Sequence, residues 1–532
     1  MDHWNSELDR IKQFDKLLDE ISPLPSLSDE ELWKYSETVI YIQDLLSLVA
    51  SLPSDKKPPI FEWDDTVSNL WRKLFLKGDD VDRLTFGDLW LKSLIETKDT
   101  KRIFKTASAF LASCRNFSLF EEGYEVAVSL LKRFPEDKSA AMANFLNTFA
   151  SLFYCESDWE KAEEYFRRAK DLGETLSNDD CVKWLKCSKE DFIGQEIINI
   201  AETHIERGFL SKGKLKEEWI SKAKPLIFEL EKRNLSEGLK SFINVTKAEF
   251  ALLIENFSEA EEIIDDIDRL SKTISGPYYY SMATTHARLK AKLNFISGDY
   301  NKAYQWIRKA LRLVSIKTYP AEDLFVLKDA IKIVRKLFEE EPNREDVELV
   351  KDLVLLLEDK DWYTGGFHSR QVAELCLKIG YFLKNDGHRE LSILDLEMAG
   401  LVHDIGKLRI PWSLLNKIAP ITPKEREILK LHAKFGRDIL NEIGLTDSAQ
   451  VVYEHHETMD GKGYPLGKIP SLPASIVGIC DVFDASTTLN RRYKIAKGVK
   501  EALDEIDSLS NIKYNPHAVQ GIKAVAEKMQ RR

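Results

Sequence analysis

The sequence predicts an all-α protein on three observations. Apolar residues recur at three- and four-residue intervals through most of the chain, the spacing that gives a helix one apolar face. Glycine and proline are sparse, 24 and 17 in 532 residues, so long stretches pass without a breaker. Helix-start signals precede such stretches: Ser28-Asp29-Glu30-Glu31 and Thr422-Pro423-Lys424-Glu425 each pair a hydroxyl cap with a glutamate three residues on. With 43% hydrophobic and 31% charged residues, the chain has enough core for two or three domains.

Residues 1–100 read as an N-terminal helical region. Across 101–314 a local signature recurs, in which an aromatic residue, two polar residues and a small one open an amphipathic helix. Trp159-Glu160-Lys161-Ala162 leads into Ala169, Phe257-Ser258-Glu259-Ala260 into Ile267, and Tyr300-Asn301-Lys302-Ala303 into Ala310. Phe120-Glu121-Glu122-Gly123, followed by Ala127 and ending at Phe134-Pro135, is a poorer copy. The segment resembles tetratricopeptide repeats, in which small residues let antiparallel helices pack closely, although the spacing is nearer ~40 than ~34 residues. The resemblance implies a protein- or peptide-binding surface, and the plainer alternative is a spacer. Residues 315–360 (Leu324, Val326, Leu327, Ile331, Val334, Leu337, then Val350 to Leu357) read as a helical linker, and homodimer pairing is a further use of such a helix.

Seven of the ten histidines follow residue 360, whereas the first 360 residues hold only His3, His204 and His286. Chemistry is therefore expected in the C-terminal domain, 361–532. Phe367-His368-Ser369-Arg370 precedes an apolar run (Val372, Leu375, Cys376, Ile379, Tyr381, Phe382), placing His368 near a helix start. A helix from Leu394 to Val402 ends in His403-Asp404, the helix opened at Thr422 reaches His432 and Gly436, Val451 to Glu454 leads into His455-His456, and Ser475 to Cys480 runs into Asp481. Five imidazoles and two carboxylates suit Zn, Fe, Mn, Co and similar divalent ions, and an adjacent His-Asp offers one ligand plus a carboxylate able to bridge two ions. Two ions roughly 3.5–4 Å apart suit phosphodiester hydrolysis. Lys407 falls one helical turn after Asp404 and could reach the same phosphate. His388 and His517 read as structural.

These motifs resemble the HD-GYP domain, the subgroup of HD-superfamily metallohydrolases associated with degrading the bacterial messenger cyclic di-GMP. The resemblance rests on His368-Ser369, His403-Asp404-Ile405-Gly406-Lys407, Ile410-Pro411, Leu414-Leu415-x-Lys417, Thr422 with Glu425, His432 with Gly436, and His455-His456-Glu457. It continues through Asp460-Gly461-x-Gly463-Tyr464-Pro465, Ile469-Pro470, Asp481-Val482-Phe483-Asp484-Ala485, and Thr487 leading to Arg491 and Tyr493-Lys494. It implies that His368, His403, Asp404 and Asp481 bind one ion, and Asp404, His432, His455 and His456 the second, with iron or manganese as the metals. Asp404 and Lys407 would be the catalytic residues, and Lys407, Arg409, Lys417, Gly463, Tyr464, Pro465, Arg491 and Lys494 the substrate contacts. Some family members bind a third ion through a glutamate where this chain has Thr364, so two metals are expected. Arg409 and Trp412 also depart from the family pattern, as do Arg492 and Tyr514-Asn515-Pro516, and these changes bear on selectivity.

The expected function is hydrolysis of cyclic di-GMP to pGpG and on to GMP, with the repeat region docking a protein partner. Alternatives are an HD hydrolase of another nucleotide, such as cyclic GMP-AMP, and a non-catalytic cyclic di-GMP-binding scaffold. A net charge of −11 argues against broad binding to nucleic-acid polymers or anionic membranes. The chain shows no signal sequence and no apolar run near the ~20 residues a membrane span needs. Cysteines 114, 155, 181, 187, 376 and 480 show no disulfide framework or Cys-x-x-Cys pair, which fits a cytoplasmic protein.

Overall fold

The computed structural model describes residues 2–20, 28–53, 56–77, 80–117, 119–272, 277–317, 347–361, 367–410, 412–417, 421–488 and 496–530, with scattered positions between 325 and 336. These residues form helices and turns without a β-strand, and one isolated bridge joins Ser510 and Tyr514. None of the described helices is long and apolar enough to cross a membrane. The chain divides into two units: Met1–Trp306 with Thr318–Glu322, and Ile307–Lys317 with Asp323–Arg532. Much of the linker expected at 315–360 lies outside the described residues.

In the first unit, α1 (Asp2–Glu20), α2 (Asp29–Ser51), α3 (Ile60–Lys77) and α4 (Asp80–Leu94) bury Trp63, Phe86 and Trp90. The capping box at Ser28 forms, with the Ser28 amide donating to Glu31 at 2.8 Å and the Glu31 amide to Ser28 Oγ at 3.4 Å. Next come α5 (Thr100–Asn116), α6 (Phe120–Arg133), α7 (Ala140–Glu156), α8 (Trp159–Thr175), α9 (Lys189–Phe209), α10 (Gly213–Lys232), α11 (Glu237–Leu253), α12 (Phe257–Ser271), α13 (Pro277–Ile296) and the start of α14 (Tyr300–Lys317), whose residues from Ile307 on belong to the second unit. Each aromatic signature opens the second helix of a hairpin, and the local chemistry explains why. A residue at positive φ (Ser157, Glu255 or Gly298) ends the first helix, and the next residue (Asp158, Asn256 or Asp299) caps the second. The cap amide also bonds back to the carbonyl five residues earlier, at 2.9, 2.9 and 2.8 Å respectively, satisfying an end that would otherwise be orphaned. The small residue of the signature is fully buried at Ala162, Ala260 and Ala303. The pair α9/α10 lacks the signature, because Lys212 supplies no side-chain cap and Gly213 stands where the aromatic would. The short helix Asn178–Asp180 and the π turn Cys181–Leu185 lengthen the step before it, one reason the repeat spacing is irregular.

In the second unit, α15 (Val347–Lys360) precedes α16 (His368–Asn385), α17 (Ile393–Val402), α18 (Pro423–Glu442), α19 (Thr446–Glu454), α20 (Leu472–Thr487), α21 (Val499–Ser508) and α22 (Pro516–Gln530). Val372, Leu375, Cys376 and Ile379 of α16 pack with Leu396 and Ala399 of α17, Ile476 to Phe483 of α20, and Ala518, Val519 and Ile522 of α22. Tyr381, expected on that apolar face, instead points outward and is 57% exposed. Gly400 permits close contact of α17 with α16, since a Cβ there would lie 2.9 Å from Cys376 Sγ and 3.0 Å from Ala373 Cα. The helix starts at Thr422 and Ser471 are both capped by their hydroxyls.

Candidate metal centre

The start of α16, the ends of α17 and α19 and the middles of α18 and α20 bring seven side chains together, all buried or half-buried. His368 stands at the first position of α16, His403 and Asp404 follow α17, His432 lies within α18, His455 and His456 follow α19, and Asp481 lies within α20. They form two groups. His368, His403 and Asp481 converge in one, and His432, His455 and His456 in the other, with each group's ligand atoms within 4.8 Å of one another. Asp404 lies between them. Its Oδ2 is 3.2 Å from His403 Nε2 and 3.7 Å from His368 Nε2, while its Oδ1 faces His432 Nε2 at 3.6 Å.

Two backbone approaches make this convergence possible. The 3-10 turn Ile405–Arg409 runs against α18 at Gly406, where a Cβ would lie 1.9 Å from the His432 carbonyl oxygen. Gly478 plays the same part on α20, where a Cβ would lie 2.3 Å from the His455 carbonyl oxygen.

The hydrogen bonds behind the ligands decide which nitrogen faces inward. His403 Nδ1 donates to the Gly400 carbonyl at 2.9 Å, His432 Nδ1 to Leu429 at 2.7 Å and His455 Nδ1 to Val452 at 2.6 Å. His368 Nδ1 meets Asp484 Oδ2 at 2.6 Å. Each Nδ1–H is thus spent on its support, which turns each Nε2 toward the centre, where its lone pair is available to a metal once any proton it carries is displaced. His432 Nε2 and His455 Nε2 face one another at 3.5 Å, and the buried His403 Nε2 makes no hydrogen bond. Converging lone pairs beside carboxylates call for a cation, so the donor set fits divalent metals.

Electrostatics agree with that geometry. Burial pushes His432, His455 and His456 down, His455 to about 3, helped for His455 by His432 and His403. These three are neutral ligands at ordinary pH. Burial works to raise Asp404, but Lys407 and His403 outweigh it and hold the carboxyl well below its usual range. Asp481 is held low in the same way, chiefly by His368 and His403. For His368, burial lowers the pKa, yet Asp481 and Asp484 outweigh it and carry it up to about 9. Lys407 Nζ lies 2.7 Å from Asp404 Oδ2 and 3.1 Å from Asp361 Oδ2, and these carboxylates hold it charged despite its burial.

The loop after His456 folds over the second group. Tyr464 stacks on His456 with centroids 4.7 Å apart, the Tyr464-Pro465 bond is cis, and a Cβ on Gly463 would lie 2.4 Å from Glu457 Cα. Glu457 secures the loop by accepting the amides of Gly467 and Lys468 at 3.1 and 3.0 Å. Arg409 packs over Phe435 at 4.2 Å, and Lys417 pairs with the buried Glu425 at 2.6 Å. Arg491 and Lys494 lie outside the described residues, as does the Trp412 side chain.

Three contributors were not assigned roles from sequence. Asp484 orients His368, and the signal was available, since Asp481 and Asp484 lie three apart on one helix and so on one face. Glu457 belongs to the quoted His-His-Glu motif, but its loop-building role needs the fold. Asp361 carries no local signal, being 46 residues from Lys407. Around it, Lys360 Nζ donates to the Leu408 carbonyl at 2.7 Å and Asn416 Nδ2 to the Lys360 carbonyl at 3.0 Å, fastening the end of α15 to the turn that bears Lys407.

Residues 351–518 match the HD domain family. The chain is 37% identical over 179 residues to a cyclic di-GMP phosphodiesterase of Thermotoga maritima, covering 32% of this chain and 47% of that protein. It is 30% identical over 185 residues to the cyclic di-GMP phosphodiesterase response regulator RpfG of Xanthomonas campestris, covering 33% and 47%. It is also 33% identical over 141 residues to the 3'3'-cGAMP-specific phosphodiesterase 1 of Vibrio cholerae, covering 26% and 32%. The chain thus spans about half the length, or less, of these relatives. Motifs, ligand geometry and family match coincide over one segment: residues 351–518 are an HD domain.

Proposed function

We propose that this protein is a metal-dependent phosphodiesterase that hydrolyses cyclic di-GMP to pGpG and then GMP. The catalytic domain would be 361–532, governed by the helical array at 101–314 through the linker at 315–360. The observation that carries the proposal is the pair of three-residue ligand groups with Asp404 between them. His368, His403, Asp404 and Asp481 would hold one ion, and Asp404, His432, His455 and His456 the other; the mixed imidazole and carboxylate set suits several divalent metals, among which the resemblance to HD-GYP domains implies iron or manganese. Two such ions would neutralise charge on the phosphoryl group and lower the pKa of a water for in-line attack.

The chain's own groups do the rest. Lys407, held charged by Asp361 and Asp404, serves as a fixed cation for the scissile phosphate. Burial of the centre keeps bulk water from screening that charge. Tyr464, stacked on His456, forms a wall against which a base can rest.

A second reading, hydrolysis of a related cyclic dinucleotide, is supported by the Vibrio relative named for 3'3'-cGAMP and by the sequence departures at Arg409 and Trp412. Metal analysis followed by turnover of both dinucleotides side by side tests the proposal. The expected result is about two ions per chain and faster turnover of cyclic di-GMP. Faster turnover of 3'3'-cGAMP would move the substrate assignment, and no turnover of either with both sites filled would refute the enzyme.

A further inference from the structure

A cavity of about 680 Å3 lies within the first unit, walled by α1, α3, α4, α5, α7 and the residues around the π turn Cys181–Leu185. Its volume falls in the range of small-molecule sites, about 300–1,000 Å3. Its walls are aromatic, with Trp71, Trp90 and Trp184. Its charge is cationic: Lys12, Arg72, Lys105 and Lys186 line it against Asp15 and Asp65, and Asp15 is already engaged by Lys73 at 3.0 Å and by the Asn69 amide at 3.0 Å. The balance is local, because the chain as a whole carries −11.

The unused polar groups point to a missing acceptor. Lys105 is half-buried on α5, yet among the described residues it has no ion-pair partner. A partly desolvated ammonium without a counter-charge is costly. The half-buried Asn144 amide on α7 also has no hydrogen-bond partner among the described residues. Of the three indoles, Trp90 donates to Asp64 Oδ1 at 2.9 Å, whereas the buried N–H groups of Trp71 and Trp184 have no acceptor among the described residues. The cavity therefore offers unused donors at Lys105, Asn144, Trp71 and Trp184 and aromatic surface, while its carboxylates are Asp15, already engaged, and the exposed Asp65.

We propose that this cavity binds a small molecule consisting of one planar ring system bearing a carboxylate or a phosphate, with the anion at Lys105 and the ring against the tryptophans. The site is separate from the metal centre and does not depend on what that centre hydrolyses. Unlike the repeat-type docking surface expected from sequence, it takes a small ligand.

Calorimetric titration of the full chain with two matched pairs of probes isolates the anion's contribution: indole-3-acetate against indole-3-acetamide, and AMP against adenosine. At least one anion is expected to bind with a Kd below about 1 mM, and its neutral counterpart about 10-fold or more weakly. Lys105→Met abolishes that difference, and Lys138→Met, an exposed lysine outside the cavity, leaves it unchanged. Which anion binds better distinguishes carboxylate from phosphate. In the ligand-free protein Lys105→Met is expected to keep or raise the melting temperature, since it removes a charge without a partner, and a marked fall would make Lys105 a structural residue and overturn the proposal. Equal binding of charged and neutral probes, no binding of either anion, or an anion preference that survives Lys105→Met would also overturn it.

Discussion

Removing the Asp484 carboxylate by Asp484→Ala tests whether the groups behind the ligands do half the work of the metal centre. Asp484 is 5% exposed and meets His368 Nδ1 at 2.6 Å, a buried charge-assisted contact. Such a bond contributes about 1.5–3 kcal/mol. Loss of a carboxylate that orients a ligating histidine typically weakens metal binding by about 10–100-fold, which is about 1.4–2.7 kcal/mol. The two estimates agree, so the His368–His403–Asp481 group is expected to bind Mn(II) about 10–100-fold more weakly. The His432–His455–His456 group, which Asp484 does not touch, should change by less than about 3-fold. Asp484→Asn keeps an oxygen acceptor without the charge and should fall between. The assay is Mn(II) titration of the metal-stripped chain against a competing chelator, resolving the two classes of site. Unchanged affinity, or an equal loss at both groups, would refute the reasoning.

Other consequences concern charge and packing. In the metal-free protein the affinity of the first group should rise about tenfold per pH unit between pH 6 and 8, because the metal must displace the proton of His368, whose pKa is about 9. Affinity of the second group should vary much less over the same range, since His455 titrates only at about 3. For metal-free stability the signs are opposite. His368, raised above its ordinary 6.5, contributes stability that is present below pH 6.5 and lost as pH rises through about 9. His455, depressed from 6.5, contributes stability that is present above pH 6.5 and lost as pH falls toward 3. Thermal melts of stripped protein should therefore decline on both sides, more steeply than those of loaded protein. Asp361→Asn removes one of the two carboxylates beside Lys407 and should lower kcat by about 10-fold with metal content unchanged; lost metal would instead make Asp361 part of the ligand scaffold. Gly406→Ala places a Cβ 1.9 Å from the His432 carbonyl oxygen and should destabilise the domain by about 3 kcal/mol in denaturant melts, whereas a neutral result would show that the turn and α18 can separate.

The seven converging side chains were legible because metal chemistry restricts residue type: imidazoles and carboxylates, most of them at or beside helix ends, stand out against a chain that otherwise holds few histidines. Their supports were harder to read. A backbone carbonyl such as that of Gly400 carries no sequence signal, and Asp361 becomes a partner of Lys407 only when α15 is fastened beside the turn. The hairpins were legible where an Asp or Asn cap and an aromatic residue sit together, as at Asp158-Trp159, since both are demands of local backbone geometry. The pair α9/α10 escaped because its contacts, made by Trp219, Ala223 and Ile227, begin a turn and a half into the second helix and are matched by tertiary packing rather than by a cap. Tyr381 misled because it follows an apolar run yet falls on the outer face of α16. The cavity around Lys105 gathers residues from helices spread over the first 186 positions, a juxtaposition that no periodicity announces.

Asp404 stands between the His368–His403–Asp481 and His432–His455–His456 groups, and the proposed phosphodiester hydrolysis depends on it. Anaerobically purified protein, loaded separately with Fe(II) and Mn(II), should convert cyclic di-GMP to pGpG, and Asp404→Ala should abolish that turnover. Turnover that persists in Asp404→Ala, or none in the native chain with about two ions bound, would contradict it.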